Sequence, residues 1–229
     1  YEMATDVPTL DGAPRGFIAG GNVPGSKTNG IQAINFATLA TDTSFGDITS
    51  SRGGPAGAAS RTRGIVAGGG EPSRVNKIDF FTMATRASAA DFGDLTQGRS
   101  MDGGGLSSET RAVFAGGTTP SNVNTIDYVT ISHTGDAVDF GDLQGTTSQS
   151  AGLSSPTRGI ITGFNNNRID FITIASTGDA QDFGDLVIPT FACGNGYGNS
   201  VRGEISGGTT PSAIDDRQSF IFATKGNTA

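Results

Sequence analysis

The chain has 229 residues, 36 of them Gly, with no Trp, one Cys, one His and a net charge of −7. A single Cys excludes an internal disulfide or a Cys-based zinc site, and a single His excludes a multi-His metal centre. The acidic balance argues against wrapping a polyanion, and no stretch approaches the ~18 consecutive apolar residues of a membrane-spanning helix.

The opening residues, Tyr1 to Asp6, are polar and acidic and carry no secretory-signal pattern. From Arg15 onward a repeat dominates. An Arg followed by a short apolar run and glycine occurs at Arg15, Arg63, Arg111, Arg158 and Arg202, spaced by 48, 48, 47 and 44 residues. A second element follows each: Ile34-Asn35-Phe36, Ile78-Asp79-Phe80, Ile126-Asp127-Tyr128, Ile169-Asp170-Phe171 and, degraded, Gln218-Ser219-Phe220. A third, Phe-Gly-Asp-Ile/Leu, begins at Phe45, Phe92, Phe140 and Phe183. A fourth lies just before the next Arg and is clearest as Gly105-Leu-Ser-Ser108 and Gly152-Leu-Ser-Ser155.

The runs are short, β-branched or aromatic, and bounded by Gly, Pro, Asn, Ser and Thr, which is how strands read. Apolar residues on both faces of the second element suit a sheet sandwiched between two others. Four strands per repeat of this length make a propeller blade. The expected fold is all-β: a five-bladed β-propeller of four-stranded antiparallel blades. Their expected spans are about 7–48, 54–95, 102–143, 150–186 and 191–229. Residues near 9–13 are expected to form the innermost strand of blade 1. Residues 1–6 are expected to complete blade 5 and close the ring, which would pair otherwise exposed edges.

Several motifs invite chemistry. Asp91-Phe92-Gly93 and its copies match the kinase magnesium motif, but a chain with three Lys and this motif at repeat spacing lacks the rest of a kinase. The glycine runs lack the following helix that a nucleotide loop needs. Asp136, Asp139 and Asp142, repeated as Asp179, Asp182 and Asp185, read as turn carboxylates rather than a calcium loop. Cys193 and His133 have no identifiable third partner, so Cys193 reads as a buried, inert thiol. The repeat arginines read as architectural, bonded to carboxylates or carbonyls of the same or the adjacent blade. Phe45, Phe92, Phe140 and Phe183 read as filling between blades.

The order of elements resembles kelch repeats: an apolar strand ending in double glycine, then a Tyr-Asp-type strand, with Phe here where kelch has Trp. More closely, Ile126–Leu143 with Gly152–Gly159, and Ile169–Leu186, resemble repeats in virion structural and tail-fibre-like proteins of tailed phages of marine cyanobacteria. That resemblance spans roughly residues 15–225. It implies a non-enzymatic module on the virion surface that recognises a host surface glycan or receptor. The alternative it leaves open is a scaffolding or decoration module, homo-oligomeric in a larger assembly, bound to a neighbouring virion protein. Neither reading involves nucleic acid, membrane insertion, a metal, a cofactor or a catalytic residue.

Function on such a scaffold belongs to loops. One family joins second to third strands (22–30, 70–76, 118–124, 164–167, 209–215). The other links each outer strand to the next inner one (49–57, 96–105, 144–152, 187–196). Both are expected on one face. The candidate ligand residues there are Arg52, Arg74, Arg99, Thr119, Asn122, Asn165, Arg168 and Tyr197.

Overall fold

The computed structural model describes residues 15–163, 166–190, 196–209 and 212–229, and among them every regular element is a strand. The strands form five antiparallel blades in chain order, a five-bladed β-propeller. Blade 1 contains Arg15–Ala19, Gly30–Asn35 and Thr41–Asp47. Blade 2 runs Ala56–Ala59, Arg63–Ala67, Lys77–Thr82, Ala90–Asp94 from the axis outward. Blade 3 runs Gly105–Ser107, Arg111–Ala115, Val123–Thr130, Val138–Thr147. Blade 4 runs Ala151–Ser154, Arg158–Thr162, Asn166–Thr173, Gln181–Thr190. Blade 5 contains Gly196–Gly198, Arg202–Ser206 and Arg217–Ile221. The expected inner strand near residues 9–13 and the expected closing strand at residues 1–6 lie outside the described residues.

The period-2 alternation of strands turns one set of side chains toward the preceding blade and the other toward the following one. Four apolar clusters result, one in each seam from blade 1–2 to blade 4–5. In the seam between blades 2 and 3, Ile65, Ile78, Phe92 and Leu95 of one blade meet Phe114, Val129 and Ile131 of the next. Phe45, Phe92, Phe140 and Phe183 are each 2% exposed and fill successive seams. No apolar cluster among the described residues joins blade 5 to blade 1.

The Phe-Gly-Asp motif has a geometric cause. The outer strand bulges opposite Ile78/Asp79, Ile126/Asp127 and Ile169/Asp170. The bulge glycines Gly93, Gly141 and Gly184 take φ of 148°, 141° and 149°. A Cβ at Gly93 would lie 2.4 Å from the Gly135 carbonyl oxygen of the next blade. That close approach lets the rims zip together: Gly135 and Ala137 N–H donate to the Phe92 and Asp94 carbonyls at 2.7 Å each. Blade 4 repeats this on blade 3, and residues 226–228 repeat it on blade 4.

Strand register corrects the expected repeat alignment at both ends. Arg15 lies opposite Asn35, whereas Arg63 lies opposite Thr82. Asn35 therefore corresponds to Thr82, and the counterpart of Ile78-Asp79-Phe80 is Ile31-Gln32-Ala33, not Ile34-Asn35-Phe36. In blade 5, Gln218 lies opposite Ile205 as Asp79 lies opposite Val66, so Gln218 takes the aspartate position and the expected match is off by one. Phe36 stands at the position of Met83 and Phe220 at that of Phe81, so aligning either ring with Phe80 shifts the match by three residues in blade 1 and by one in blade 5.

Candidate functional site

The two loop families meet on one face. The first linker bridges the hairpin of blade 2 through reciprocal Gly53–Gly70 hydrogen bonds of 3.1 and 2.8 Å. The second linker does the same at Ser100–Thr118, with bonds of 3.1 and 2.7 Å. Lys27 of the blade 1 hairpin donates to the Gly70 carbonyl at 2.6 Å.

Under this face lies a repeated polar latch. The Arg52 carbonyl accepts from Gly21 N–H of blade 1 at 2.8 Å, while its guanidinium crosses to blade 2. There it donates to Asp79 and to the Lys77 carbonyl, and Thr49 donates to Asp79 from both its N–H and its hydroxyl, at 3.0 and 2.8 Å. Arg99 repeats the arrangement one blade on. Gly69 N–H donates to its carbonyl at 2.9 Å. Its guanidinium donates to Asp127 at 2.8 Å and to the Phe114 carbonyl at 3.1 Å. Thr96 donates to Asp127 from N–H and hydroxyl at 3.2 and 2.7 Å. The second glycine of the double-glycine motif makes room in blades 2 and 3: a Cβ on Gly69 would lie 3.1 Å from Arg52 Cβ, and one on Gly117 3.3 Å from Arg99 Cδ.

This corrects the expectation for Arg52 and Arg99. Both are 0% exposed, as are Asp79 and Asp127. A buried cation needs a counter-charge and hydrogen bonds, and here the aspartate of the following blade supplies them. These side chains are interior fasteners between blades and are not presented to a ligand. Burial pulls the Arg99 guanidinium below its usual value, opposed by the Asp127 carboxylate.

The latch persists in blade 4 and blade 5 with altered chemistry. Gln144 N–H donates to Asp170 at 3.0 Å, but Thr147 stands where Arg99 stands in the preceding linker, and its hydroxyl donates to the Gly163 carbonyl at 3.1 Å. The cation comes instead from Arg168 on the same strand, whose Nε lies 3.0 Å from Asp170 without the alignment of a hydrogen bond. Burial raises the Asp170 pKa above the ordinary carboxylate value, only partly countered by the Gln144 N–H and Arg168. Arg168 is thus committed to Asp170, although its side chain is 24% exposed. In blade 5 the latch is neutral: Gln218 accepts from Ile188 N–H at 3.1 Å and the Thr228 hydroxyl at 2.9 Å, and donates to the Ile188 carbonyl at 2.9 Å.

The repeat arginines have a different task. Arg63, Arg111 and Arg158 lie over Phe80, Tyr128 and Phe171 of their own blades at 4.8, 4.5 and 5.1 Å. Each also donates to a carbonyl of the next blade: Ile131 at 2.8 Å, Ile174 at 2.9 Å, and Phe222. Arg15 begins the second strand of blade 1 opposite Asn35. Arg202 begins the matching strand of blade 5 and is exposed.

Of the remaining candidates, Arg74 and Asn122 are exposed on the hairpins of blades 2 and 3. Thr119 is half-buried, its N–H donating to the Ser121 carbonyl at 2.9 Å. Asn165 lies outside the described residues, as does Cys193. Tyr197 is not on a loop: it sits in the inner strand of blade 5 opposite Glu204, 40% exposed on the blade's flank. Asp136 and Asp179 accept the Asp94 and Asp142 N–H groups of the preceding blades at 3.0 Å each. His133 is exposed, its Nδ1 2.7 Å from the Ser132 hydroxyl.

No protein-family model matches the sequence. No curated protein matches it either. Among solved structures, that of YjhT is similar with a TM-score of 0.73 at 12% identity, covering 93% of this chain and 79% of that chain. At that identity the likeness is one of fold.

Proposed function

We propose that the chain is a non-enzymatic recognition module whose ligand meets the hairpin tips of the loop face. The observation that carries this is the division of labour among loop residues. The linker arginines are consumed inside the fold. The hairpin tips, around Pro24, Ser73-Arg74 and Pro120-Asn122, stand exposed on the same face. Latches beneath them and bridges between them make that face a rigid platform carrying short polar tips. Small hydroxyl and amide groups suit hydrogen bonding to sugar hydroxyls or to a protein surface, and several like tips favour weak, multivalent contact in which avidity supplies affinity. Together with the resemblance to phage virion repeats, this supports a host surface glycan or receptor as ligand and the virion surface as location.

A second reading is a structural module bound to a neighbouring virion protein. The exposed apolar residues of blade 1, Ile18 at 54% and Leu39 at 79%, favour it. A glycan array probed with the multivalently presented domain tests the first reading. Binding lost in Arg74→Ala and Asn122→Ala, with the melting temperature unchanged, supports it. Absence of binding to any glycan or host envelope shifts the weight to the second.

A further inference from the structure

We propose that the joint between blades 3 and 4 is a proton-operated latch under the loop face: with Asp170 protonated it holds the third linker, residues 144–147, and with Asp170 ionised it lets that linker and the hairpin of blade 3 loosen. As a control on ligand binding, this rests on the loop face being the ligand face.

The first two linkers show what a complete latch contains. Thr49 donates its N–H and its hydroxyl to Asp79, and Arg52 donates to Asp79 and to the Lys77 carbonyl. Thr96 and Arg99 make the same set of bonds to Asp127 and the Phe114 carbonyl. Both oxygens of each aspartate are met, and the cation belongs to the linker. The third linker keeps one of these donors. Gln144 N–H reaches Asp170 Oδ2 at 3.0 Å, but Gln144 brings no hydroxyl, and the Thr147 hydroxyl turns to the Gly163 carbonyl at 3.1 Å. Asp170 is 0% exposed, and its Oδ1 accepts no hydrogen bond among the described residues.

The cation has moved to the strand. Gly145 leaves room for it: a Cβ there would lie 2.6 Å from Arg168 Nη2. Arg168 Nε comes within 3.0 Å of Oδ1 without hydrogen-bond alignment, and it belongs to the strand of Asp170, not to the linker. The other neighbours add no counter-charge. Asp182 and Asp185 lie opposite Asp170 and Arg168 on the outer strand, and Ile161 lies opposite Asp170 on the second strand. Blade 3 turns Ala115, Ile126, Leu143 and Tyr128 to this seam, and Tyr128 is stacked under Arg111.

A buried carboxylate met by one aligned donor is far more costly as an anion than as an acid. A proton on Oδ1 removes the charge and leaves Oδ2 to accept from Gln144. Burial holds the Asp170 carboxyl above its ordinary value; the Gln144 N–H and Arg168 oppose this in part, and Asp182 adds to it. The hold is complete below the ordinary carboxylate value and is lost as pH rises through the folded one. It reaches the hairpin through Thr147. The Thr147 carbonyl accepts from Gly117 N–H at 2.8 Å, and the Gly117 carbonyl accepts from Val123 N–H at 2.9 Å, closing the hairpin that carries Asn122. Val123 also pairs with Thr147 in register.

Backbone hydrogen exchange of the native chain, followed from acidic to neutral pH, tests this. Each rate is divided by that of an unstructured peptide at the same pH, so that it reports local opening. Protection of the Gln144 and Gly117 N–H groups is expected to fall as pH rises, by up to about tenfold per pH unit between the unfolded and folded pKa values of Asp170. The Thr96 and Gly69 N–H groups make the matching bonds in the preceding joint, to Asp127 and to the Arg99 carbonyl, and are expected not to fall. In Asp170→Asn the fall at Gln144 and Gly117 is expected to vanish; the Gln218 latch of blade 5 shows that an amide is accommodated at this position. Matching profiles for the two joints of the native chain overturn the proposal, whether or not the variant folds. So does a fall that persists in Asp170→Asn. The readout needs no ligand: a titrating latch in a chain that binds no glycan defeats the ligand reading alone, and flat exchange in a chain that binds one defeats the latch alone.

Discussion

Removing Arg99 tests whether the linker latch holds the blades together. In Arg99→Ala, Asp127 remains 0% exposed and keeps only the two Thr96 donors at 3.2 and 2.7 Å. The Phe114 carbonyl loses its 3.1 Å donor as well. Breaking a buried pair from one side leaves an uncompensated charge and costs about 3–5 kcal/mol. For a chain of this size that is a fall of roughly 6–20 °C in melting temperature. The companion Asp127→Ala strands a buried guanidinium and falls in the same range. The double variant leaves no buried charge and costs well under the sum of the two, so the cycle isolates a coupling of a few kcal/mol. The control is Arg61→Ala, whose 3.0 Å pair with Glu109 is more than half exposed on both sides. An exposed pair contributes about 0–1 kcal/mol. Urea midpoints of the native chain and these four variants measure all of this. If Arg99→Ala costs no more than Arg61→Ala, the latch does not hold the seam and the assignment of Arg99 to the interior fails.

Three further outcomes follow from the same geometry. Arg111→Ala loses the Tyr128 stacking at 4.5 Å and the donor to Ile174 at 2.9 Å, and should cost about 1–3 kcal/mol, the penalty of an unsatisfied buried acceptor, with Arg111→Lys recovering only part; denaturant titration reads it. Gly93→Ala drives a Cβ to 2.4 Å from a backbone oxygen and should cost about 1–3 kcal/mol by overpacking, whereas Gly25→Ala, with nothing within 4 Å, costs only the strain of its φ of 80°; equal melting temperatures for the two would refute the close-approach reading. Asp170 holds its proton to higher pH in the fold than in the unfolded chain, so its contribution is complete below the unfolded pKa and is lost as pH rises through the folded one. The stability of the native chain relative to Asp170→Asn should therefore decline as pH rises out of the ordinary carboxylate range, and a rising difference would reverse the assignment.

The strands were legible because each is a local pattern. A β-branched run, a double glycine and a Phe-Gly-Asp bulge recur at a fixed period, and the period alone distinguishes a blade from an isolated hairpin. The seam-filling role of Phe92 and Phe140 followed from the same repetition. The latches were not legible, because each joins a linker of one blade to a strand of the next, across 27 or 28 residues. A loop arginine flanked by Ser and Gly reads as solvated, and nothing local says that it turns inward. A usable signal did exist: Thr49-x-x-Arg52 and Thr96-x-x-Arg99 precede the aspartate of an Ile-Asp dipeptide by nearly the same interval, 27 and 28 residues from the Arg. The third linker breaks that pattern with Gln144 and Thr147, which hid it.

The way the latch varies says what it is for. Blades 2 and 3 meet a linker Arg with Asp. Blade 4 keeps Asp170 but draws its cation from its own strand, and blade 5 replaces the acid with Gln218, which meets the backbone N–H and carbonyl of Ile188 and the Thr228 hydroxyl. The position tolerates charge or neutrality, provided the buried acceptor is met by donors. That is the behaviour of a hydrogen-bonding requirement, since an ion pair adds little net stability once its desolvation is counted. A latch of this kind fixes the register of each blade on the last, which a purely apolar seam of Ile, Leu and Phe leaves free to slide. Gln32, at the same position in blade 1, is exposed. It has the same side chain as the neutral Gln218 latch of blade 5.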